Sequence, residues 1–386
     1  MNEIYLDYAA ATPVSQRVLA RMMPYFSEEF ANPGALHRGG QRAQAALDEA
    51  REDIAVLLGC DRKEIIFTAS ATESVNLAMR GVVAAARKEI ARPHVITSAV
   101  EHSAVLATAE ALAQDGVEVT RIGVDENGLV NPQDVASAMT ENTVLVSIIY
   151  ASNEVGTIQP IEEIAAAVQS HKRNVKSSQL AFHTDAVQAA NYLEISPAKL
   201  GVDLMTISAQ KIYGPKGAAL LYKKEGVILA PQLTGGPQEH GLRAGTENVP
   251  AIAGFAEALK ETVELKEQEV ARLTKLREEL IEALLADVPS AKLNGSRTRR
   301  LPNHASICFE GVSSDALIAR LDADGVLVAS GSACTSRTLE PTEAIVALGR
   351  PECARSSIRI SLGRPTTQED VERASATIAR VVKNIS

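Results

Sequence analysis

The residue that points most directly to chemistry is Lys211, which follows an apolar segment. Residues 202–208 (VDLMTIS) read as a buried strand that runs into the segment SAQKIYGPKG. A lysine held between small residues at the end of such a strand is partly desolvated, which lowers the pKa of its amine and favours the neutral nucleophile. That amine could form a Schiff base with a carbonyl compound, although Lys211 taken alone could also be an ordinary loop lysine.

A carboxylate closes the preceding predicted strand. Asp185 ends the apolar run 180–186 (LAFHTDA), and a buried charge needs a partner. The ring nitrogen of pyridoxal phosphate (PLP) is such a partner, because the carboxylate keeps that nitrogen protonated and lets the ring accept electrons. Capping of the next helix is the alternative role. The separation from Lys211 fits one strand–helix–strand unit, which would place both side chains over neighbouring strand ends.

A phosphate site is predicted where the strand 64–70 meets a helix. Residues 68–73 (TASATE) are mostly small or carry hydroxyl groups. Free backbone N–H groups and the helix dipole at a helix N-terminus attract a phosphate. Plain helix capping, above all by Thr72, is the alternative. A phosphate site, an acid and a lysine together indicate PLP more specifically than any one of them.

Three further polar residues follow or lie on predicted strands. His102 comes after the strand 94–98 and could stack on a planar ring and exchange protons near neutral pH, or be a surface histidine. Asn153 comes after the strand 143–151 and could donate to a ring oxygen, or form a turn. Arg359 could hold an amino-acid carboxylate by two hydrogen bonds, or form a salt bridge with an acidic residue.

The last candidate is the thiol of Cys334. It lies in the segment ASGSACTS (329–336), whose small residues lead us to expect a mobile and exposed side chain. Cys308, by contrast, lies in an apolar strand. An exposed cysteine on a flexible loop can swing to a substrate and carry a covalent group away, whereas an inert loop cysteine is the alternative. We assign no role to Cys60 or Cys353.

The elements that must position these residues alternate between helix and strand over the first two-thirds of the chain. Near-continuous apolar strands are typical of strands buried on both faces, and the βαβα order predicts an α/β fold with a mostly parallel sheet. Ligands bind outside the carboxyl ends of such strands. The predicted helices are 41–58, 73–90 and 104–116, and the predicted strands are 64–70, 94–98, 117–122, 143–151, 180–186, 202–208 and 217–224.

The pattern changes near residue 250. A long helix is predicted over 251–286, followed by a smaller α+β unit with strands 305–309, 326–330 and 356–362 and helices 314–323 and from 367. We therefore predict a large domain over 12–258 and a small domain made of 1–11 and 259–386.

Composition excludes several classes of function. The chain has 386 residues, a formal net charge of −9 and only 3% aromatic residues, which argues against a nucleic-acid binder. No apolar run approaches the roughly 18 residues of a membrane span, and the N-terminus lacks a signal-peptide pattern. The four cysteines are far apart, so we expect neither a zinc knuckle nor a disulfide framework, and we predict a reducing, cytoplasmic location.

Taken together, the motifs resemble those of the cysteine desulfurases of the NifS/IscS type, which are fold-type I PLP enzymes of the class V aminotransferase family. The resemblance runs nearly end to end, and the SGSACTS loop is similar to the NifS/IscS branch rather than the SufS branch. The matching motifs are YLDYAAATP (5–13), NPGALH (32–37), FTASATES (67–74), EH (101–102), NEVG (153–156), HTDAVQ (183–188), SAQKIYGPKG (208–217), RAGTEN (243–248), SGSACTS (330–336) and SIRISLG (357–363).

The resemblance implies a role for each candidate in holding PLP. Lys211 forms the Schiff base and moves protons, Asp185 pairs with the ring nitrogen, and His102 stacks on the ring and acts as an acid–base catalyst. Ring-oxygen contacts come from Gln188 and Asn153. Phosphate contacts come from Ala71, Thr72, Ser208 and Gln210, and from Thr246 of a second subunit, which implies a homodimer.

The resemblance also implies the reaction. Arg359 and Asn153 hold the carboxylate of L-cysteine, and Cys334 takes the sulfur as a persulfide, leaving L-alanine. The sulfur then passes to acceptor proteins for iron–sulfur cluster assembly or tRNA thiolation. The alternatives are an aminotransferase or selenocysteine lyase on the same scaffold, or a non-catalytic PLP-binding scaffold. Aminotransferases need no mobile thiol, and the set of candidate residues argues against a non-catalytic protein.

One position departs from the family pattern. The residue directly before the Schiff-base lysine is usually histidine, and here it is Gln210. Glutamine can donate a hydrogen bond to a phosphate but cannot carry a charge. We therefore expect PLP binding to persist with an altered affinity or pH dependence.

Overall fold

Strands and helices alternate through the first two-thirds of the chain, as predicted. The structure, a computed structural model, describes residues 3–175, 179–331 and 343–385. The strands are β1 (Ile4–Tyr5), β2 (Ile65–Thr68), β3 (His94–Ser98), β4 (Glu118–Ile122), β5 (Thr143–Ser147), β6 (Ala181–Asp185), β7 (Leu204–Ser208), β8 (Ala219–Lys223), β9 (Ala291–Leu293), β10 (His304–Phe309), β11 (Val326–Leu327), β12 (Ala329–Ser330) and β13 (Ser357–Ser361). The helices are α1 (Gln16–Met22), α2 (Pro24–Ser27), α3 (Arg38–Leu58), α4 (Ala71–Ala86), α5 (Ser103–Gln114), α6 (Pro132–Ala138), α7 (Ile161–Val175), α8 (Pro197–Leu200), α9 (Val249–Asp287), α10 (Ser314–Ala323), α11 (Glu343–Ala347) and α12 (Gln368–Ile385).

The central sheet has the strand order β2-β8-β7-β6-β5-β3-β4. Neighbours from β7 to β4 are parallel, whereas β8 is antiparallel to both β7 and β2. Successive side chains of β2 belong to different hydrophobic clusters on the two faces of the sheet, Ile65 and Phe67 to one and Ile66 to the other. The prediction of an α/β fold with a mostly parallel sheet buried on both faces is confirmed, and its parallel strands end at one edge.

The helix α9 is the predicted long helix, and it begins two residues earlier than expected because Asn248 caps it. The side chain of Asn248 accepts a hydrogen bond from the backbone N–H of Ala251. The first part of α9 packs in the core of the central sheet through residues such as Leu259. Its second part, including Leu273 and Leu280, packs in the core of the C-terminal part. The boundaries proposed for the two domains, 12–258 and 1–11 with 259–386, stay a prediction.

The C-terminal part contains an antiparallel sheet of order β12-β13-β10-β9 and a parallel pair of β1 with β11. The predicted strand 326–330 is therefore two short strands. Val326 and Leu327 pair with the N-terminal strand, whereas Ala329 and Ser330 pair with β13. One apolar run thus serves two sheets, because its neighbours come from both ends of the chain. In the described residues, no helix combines the length and apolar character needed to cross a membrane.

The sequence predicts no disulfide framework, but two of the four cysteines form a single disulfide. Cys308 on β10 and Cys353 form a disulfide with an S–S distance of 2.21 Å, and both residues are fully buried. They are 45 positions apart. The pairing of β10 with β13 brings the segment before β13 against β10, and no local sequence pattern announces that contact.

Candidate active site

A cavity of about 240 Å³ lies at the carboxyl edge of the central sheet. It collects side chains from β6, β7 and β13 and from the starts of α4 and α5, as expected for a ligand site in an open parallel sheet. All the predicted site residues except Thr246 and Cys334 line it. Its lining is Ala9, Ala10, Ser70, Ala71, Thr72, His102, Ile149, Asn153, Asp185, Val187, Gln188, Ser208, Gln210, Lys211 and Arg359.

Asp185 is the last residue of β6 and is almost fully buried. Its Oδ1 accepts a hydrogen bond of 3.0 Å from the backbone N–H of Val187. Burial raises the pKa of this carboxyl, and His102, the Val187 hydrogen bond and Lys211 oppose the rise. A cationic group in the cavity would therefore stabilise the charged carboxylate.

Lys211 lies on a short 3-10 turn, Ala209–Lys211, directly after β7. Its Nζ donates to the backbone carbonyl of Ala10, which is one of its interactions. The preceding residue, Gln210, also faces the cavity, and its carbonyl accepts the hydroxyl hydrogen bond of Thr12 at 3.0 Å. The N-terminal segment therefore forms part of the wall beside the lysine. This segment belongs to the family motif YLDYAAATP (5–13), but the motif alone predicts no role for it.

Two helices begin at the cavity. Ser70 caps α4, its side chain accepting from the N–H of Glu73, so that the cavity is lined by Ala71 and Thr72 of the first turn. His102 caps α5, and its Nδ1 accepts a 3.0 Å hydrogen bond from the N–H of Ala104. Because Nδ1 is the acceptor, a neutral His102 carries its proton on Nε2. Both the helix start and the imidazole are thus fixed by local capping.

Arg359 on β13 is 2% exposed. Its contacts allow both predicted roles, a salt bridge and the binding of an amino-acid carboxylate. Its Nη2 lies 2.7 Å from Oδ1 of Asp7, so the salt bridge considered from the sequence is present. Its Nη1 donates at 3.0 Å to the carbonyls of both Asn153 and Gly331. Its Nε has no hydrogen-bond partner in the described part of the chain, yet the side chain lines the cavity. A donor is therefore left over for a ligand.

Two predicted residues are not placed on this cavity. Thr246 lines a separate surface pocket together with Arg243 and Asn248. A contribution from a second subunit requires such a position outside the chain's own site, and it stays a proposal. Cys334 lies outside the described residues, so the structure says nothing of its placement.

A buried carboxyl that sequence reasoning left without a role lies beside the site. Glu101 is 3% exposed, and its Oε1 accepts hydrogen bonds from the Ser98 hydroxyl and the N–H of Ile149. The pKa of Glu101 is raised to about 8, chiefly by burial; the two hydrogen bonds oppose this rise and the charge of Asp185 adds to it. Glu101 belongs to the EH motif (101–102), but its burial is visible only in the folded structure. We infer that Glu101 carries a proton at neutral pH.

We expect that Glu101→Gln makes stability less dependent on pH. Between pH 4.5, the ordinary pKa of a glutamate, and about 8, the folded protein holds a proton that the unfolded chain has lost. The free energy of unfolding of the native protein therefore falls as pH rises, by at most ~1.4 kcal/mol per pH unit from this group. Glutamine keeps the acceptor oxygen but does not titrate. Urea unfolding of both proteins at pH 5 and pH 8 should show the variant gaining relative stability at pH 8, and an equal difference at both pH values would contradict it.

Comparisons with known proteins identify the family to which this chain is similar. Residues 4–374 match the family described as Aminotransferase class-V. The chain is 41% identical over 385 residues to the cysteine desulfurase IscS of Dictyoglomus turgidum, covering 100% of this chain and 95% of that relative.

Solved structures give the same result. A NifS-like protein superposes with a TM-score of 0.91 at 34% identity, covering 99% of this chain and 100% of that one. The structure of SspA in complex with cysteine superposes with a TM-score of 0.80 at 36% identity, covering 93% of this chain and 98% of that one.

Proposed function

Because this chain belongs to the class V aminotransferase family, and within it to the cysteine desulfurases, we propose that it converts free L-cysteine to L-alanine and carries the released sulfur as a persulfide on Cys334. The observation that carries this proposal is the meeting of Lys211, Asp185 and Arg359 on one cavity. An amine, an acid and a carboxylate-binding guanidinium are the groups that amino-acid chemistry on PLP requires.

Enzymes of this family use PLP, and the lining of the cavity fits that cofactor. Oδ1 of Asn153 is buried without a hydrogen-bond partner among the described residues, and such an atom is satisfied by a polar ligand. The start of α4 offers backbone N–H groups for a phosphate, and Ser208 and Gln210 line the same cavity. When bound, PLP supplies an aldehyde that bonds amines and a ring that accepts electrons.

The chain's own residues then have distinct tasks. The Lys211 amine provides the covalent attachment point and, once released, moves a proton at the substrate's α carbon. The Asp185 carboxylate holds the proton on the ring nitrogen. His102 can exchange a proton through Nε2, since Nδ1 is engaged by the helix start. Arg359 holds the substrate carboxylate with the donors that Asp7 and the backbone carbonyls leave over.

The sulfur transfer balances without an added oxidant or reductant. The Cys334 thiolate attacks the sulfur of the substrate, the new S–S bond forms, and the Cβ–S bond breaks with its electron pair left on carbon. A proton then reaches that carbon and gives alanine. Of the other cysteines, Cys308 and Cys353 are paired, and burial raises the pKa of Cys60 to about 12, so its thiolate is scarce. Cys334 is the cysteine left for this task.

The test of the function is direct. Purified protein loaded with PLP is given L-cysteine, alanine and sulfide are measured, and mass spectrometry locates the persulfide. We expect alanine in step with transferred sulfur and a persulfide on Cys334. Selenocysteine and an α-keto acid are measured in parallel. Turnover of selenocysteine alone, or amino transfer to the keto acid, would replace the proposal with a selenocysteine lyase or an aminotransferase.

The partners of the reaction are part of the same proposal. A homodimer would let Thr246 of the partner subunit reach the phosphate. The sulfur acceptors are an iron–sulfur scaffold protein or a tRNA-thiolation enzyme, and the cytoplasmic location stays a prediction. Neither nucleic acid nor a membrane takes part directly, in keeping with the net charge of −9.

We expect Gln210→His to tighten PLP binding most at low pH. A histidine beside the phosphate gains a positive charge below about pH 6.5 and then makes a charge-assisted hydrogen bond, which glutamine cannot. The dissociation constant of PLP should fall by about fivefold at pH 6 and by less at pH 8. PLP titration of the apoprotein at both pH values measures this. If the two proteins bind PLP with the same affinity at both pH values, the residue at position 210 does not affect phosphate binding through its charge.

A further inference from the structure

His304 lies at the start of β10, fully buried, one strand away from Arg359. Its Nε2 is 3.1 Å from the carbonyl oxygen of Asn153. A carbonyl oxygen only accepts, so Nε2 must carry the proton. Nδ1 is then the unprotonated nitrogen, and it has no hydrogen-bond partner within residues 3–175, 179–331 and 343–385.

The surroundings of His304 keep its ring neutral. Burial lowers its pKa well below the ordinary value, and the charges of Arg359, Arg300 and Arg277 lower it further, against the hydrogen bond to Asn153. Within the described parts of the chain, the charges that act on this ring are those of the three guanidinium groups, and they would repel a protonated imidazole. The ring is therefore a fixed neutral donor with a single N–H, and its donor strength does not change across the physiological pH range.

The backbone carbonyl oxygen of Asn153 accepts hydrogen bonds from two side chains. It accepts from Nε2 of His304 and also from Nη1 of Arg359, which lies 3.0 Å away. The position of the Arg359 guanidinium therefore depends in part on this oxygen, which His304 also holds in place. Asn153 itself presents its side chain to the cavity.

The turn that carries this carbonyl is pressed against the histidine. Gly156 has a φ of +78°, and a Cβ there would lie 2.7 Å from Nδ1 of His304, so no larger residue fits. Arg300 is also buried, and its Nη1 donates to the carbonyl of Val155 at 2.8 Å. Side chains of the C-terminal part thus fix the turn over 153–156 by hydrogen bonds to its backbone carbonyls.

We propose that His304 is a positioning residue for the substrate-carboxylate site, since its N–H holds the Asn153 carbonyl that in turn orients Arg359. This inference rests on the proposed function of Arg359 and Asn153. Without the imidazole N–H, the carbonyl keeps only the guanidinium as a donor on this side. Arg300 still holds the turn at the Val155 carbonyl, but the Asn153 carbonyl loses one of its two side-chain donors and can shift. We expect that shift to move Arg359 and the Asn153 side chain away from the geometry that binds a carboxylate.

The test compares His304→Leu, which removes the donor, with His304→Gln, which keeps an N–H. For His304→Leu, KM for L-cysteine should rise about tenfold, the effect of one neutral hydrogen bond, while kcat changes by less than about threefold. His304→Gln should return KM to within about threefold of the native value. A merely structural role would not produce this split and rescue. If the leucine variant does not fold, His304→Ala is measured with the same expectation.

A second buried histidine is the matched control. His94 at the start of β3 bonds Thr143 and Thr120 through its two ring nitrogens, each at 2.9 Å, and it does not line the cavity. His94→Leu should lower Tm but leave KM unchanged. Hydrogen exchange of the peptide over 150–157 gives a readout apart from activity, and it should quicken in His304→Leu only.

The outcomes separate this inference from the proposed function. If the native protein makes no alanine from L-cysteine, the proposed function fails, and the exchange result alone decides whether His304 holds the turn. If the native protein is active but His304→Leu shows native KM and native exchange, the inference is overturned. An equal rise of KM in His94→Leu would also overturn it, because the effect would then be general loosening.

Discussion

Lys211→Ala is expected to lower kcat for alanine formation from L-cysteine by about 10³-fold, within the usual range for loss of an acid–base group. The variant loses both the amine that attaches the cofactor and the group that moves the substrate proton. Within the described chain, Lys211 is the only lysine on the wall of the cavity, so no neighbouring amine can replace it.

The measurement is alanine production by native and variant protein at equal PLP occupancy. The absorption band expected at about 400 nm for a lysine Schiff base with PLP should also shift in the variant. Lys199→Ala is the control, because Lys199 is an exposed helix residue paired with Glu194 away from the cavity. It should retain full activity. A Lys211→Ala enzyme with activity within tenfold of native would rule out the central role of this amine.

Cys334→Ser is expected to abolish sulfur transfer while leaving cysteine binding intact. A serine hydroxyl does not ionise near neutral pH and is a poor nucleophile toward sulfur, so alanine formation should fall by about 10³-fold or more. Addition of L-cysteine should still change the PLP spectrum, because that change depends on the residues lining the cavity. The variant would therefore separate binding of the amino acid from removal of its sulfur.

Mass spectrometry after incubation with L-cysteine provides the second readout. Native protein should carry one extra sulfur atom on the peptide containing Cys334, and the variant none. Cys60→Ser is the control, since the Cys60 thiol is half-buried with a raised pKa and does not line the cavity. Undiminished turnover by Cys334→Ser would contradict the assignment, because another group would then accept the sulfur.

Much of the site could be predicted from the sequence because of one topological rule. Polar residues after apolar strands, such as Asp185 and Lys211, meet wherever the strands are parallel, since their carboxyl ends share an edge. The start of α4 follows the same logic, because a strand that runs straight into a capped helix leaves N–H groups at that edge. These signals are local, and periodicity together with residue type is enough to read them.

Other parts of the site depend on contacts between distant segments, which leave no local pattern. The salt bridge of Arg359 with Asp7 joins β13 to the segment that follows β1, across 352 positions in the sequence. The carbonyl of Ala10 accepts from the Lys211 amine across 201 positions. The pairing of Cys308 with Cys353 has the same origin.

The chain by itself determined which residues stand at strand ends, because hydrophobic periodicity follows directly from the order of side chains. Only the tertiary structure decided that the Asn153 carbonyl is shared by His304 and Arg359. A histidine in an apolar strand looks like any core residue until its neighbours are known. Which atom it faces depends on how two sheets and a turn pack, and packing is a property of the whole chain.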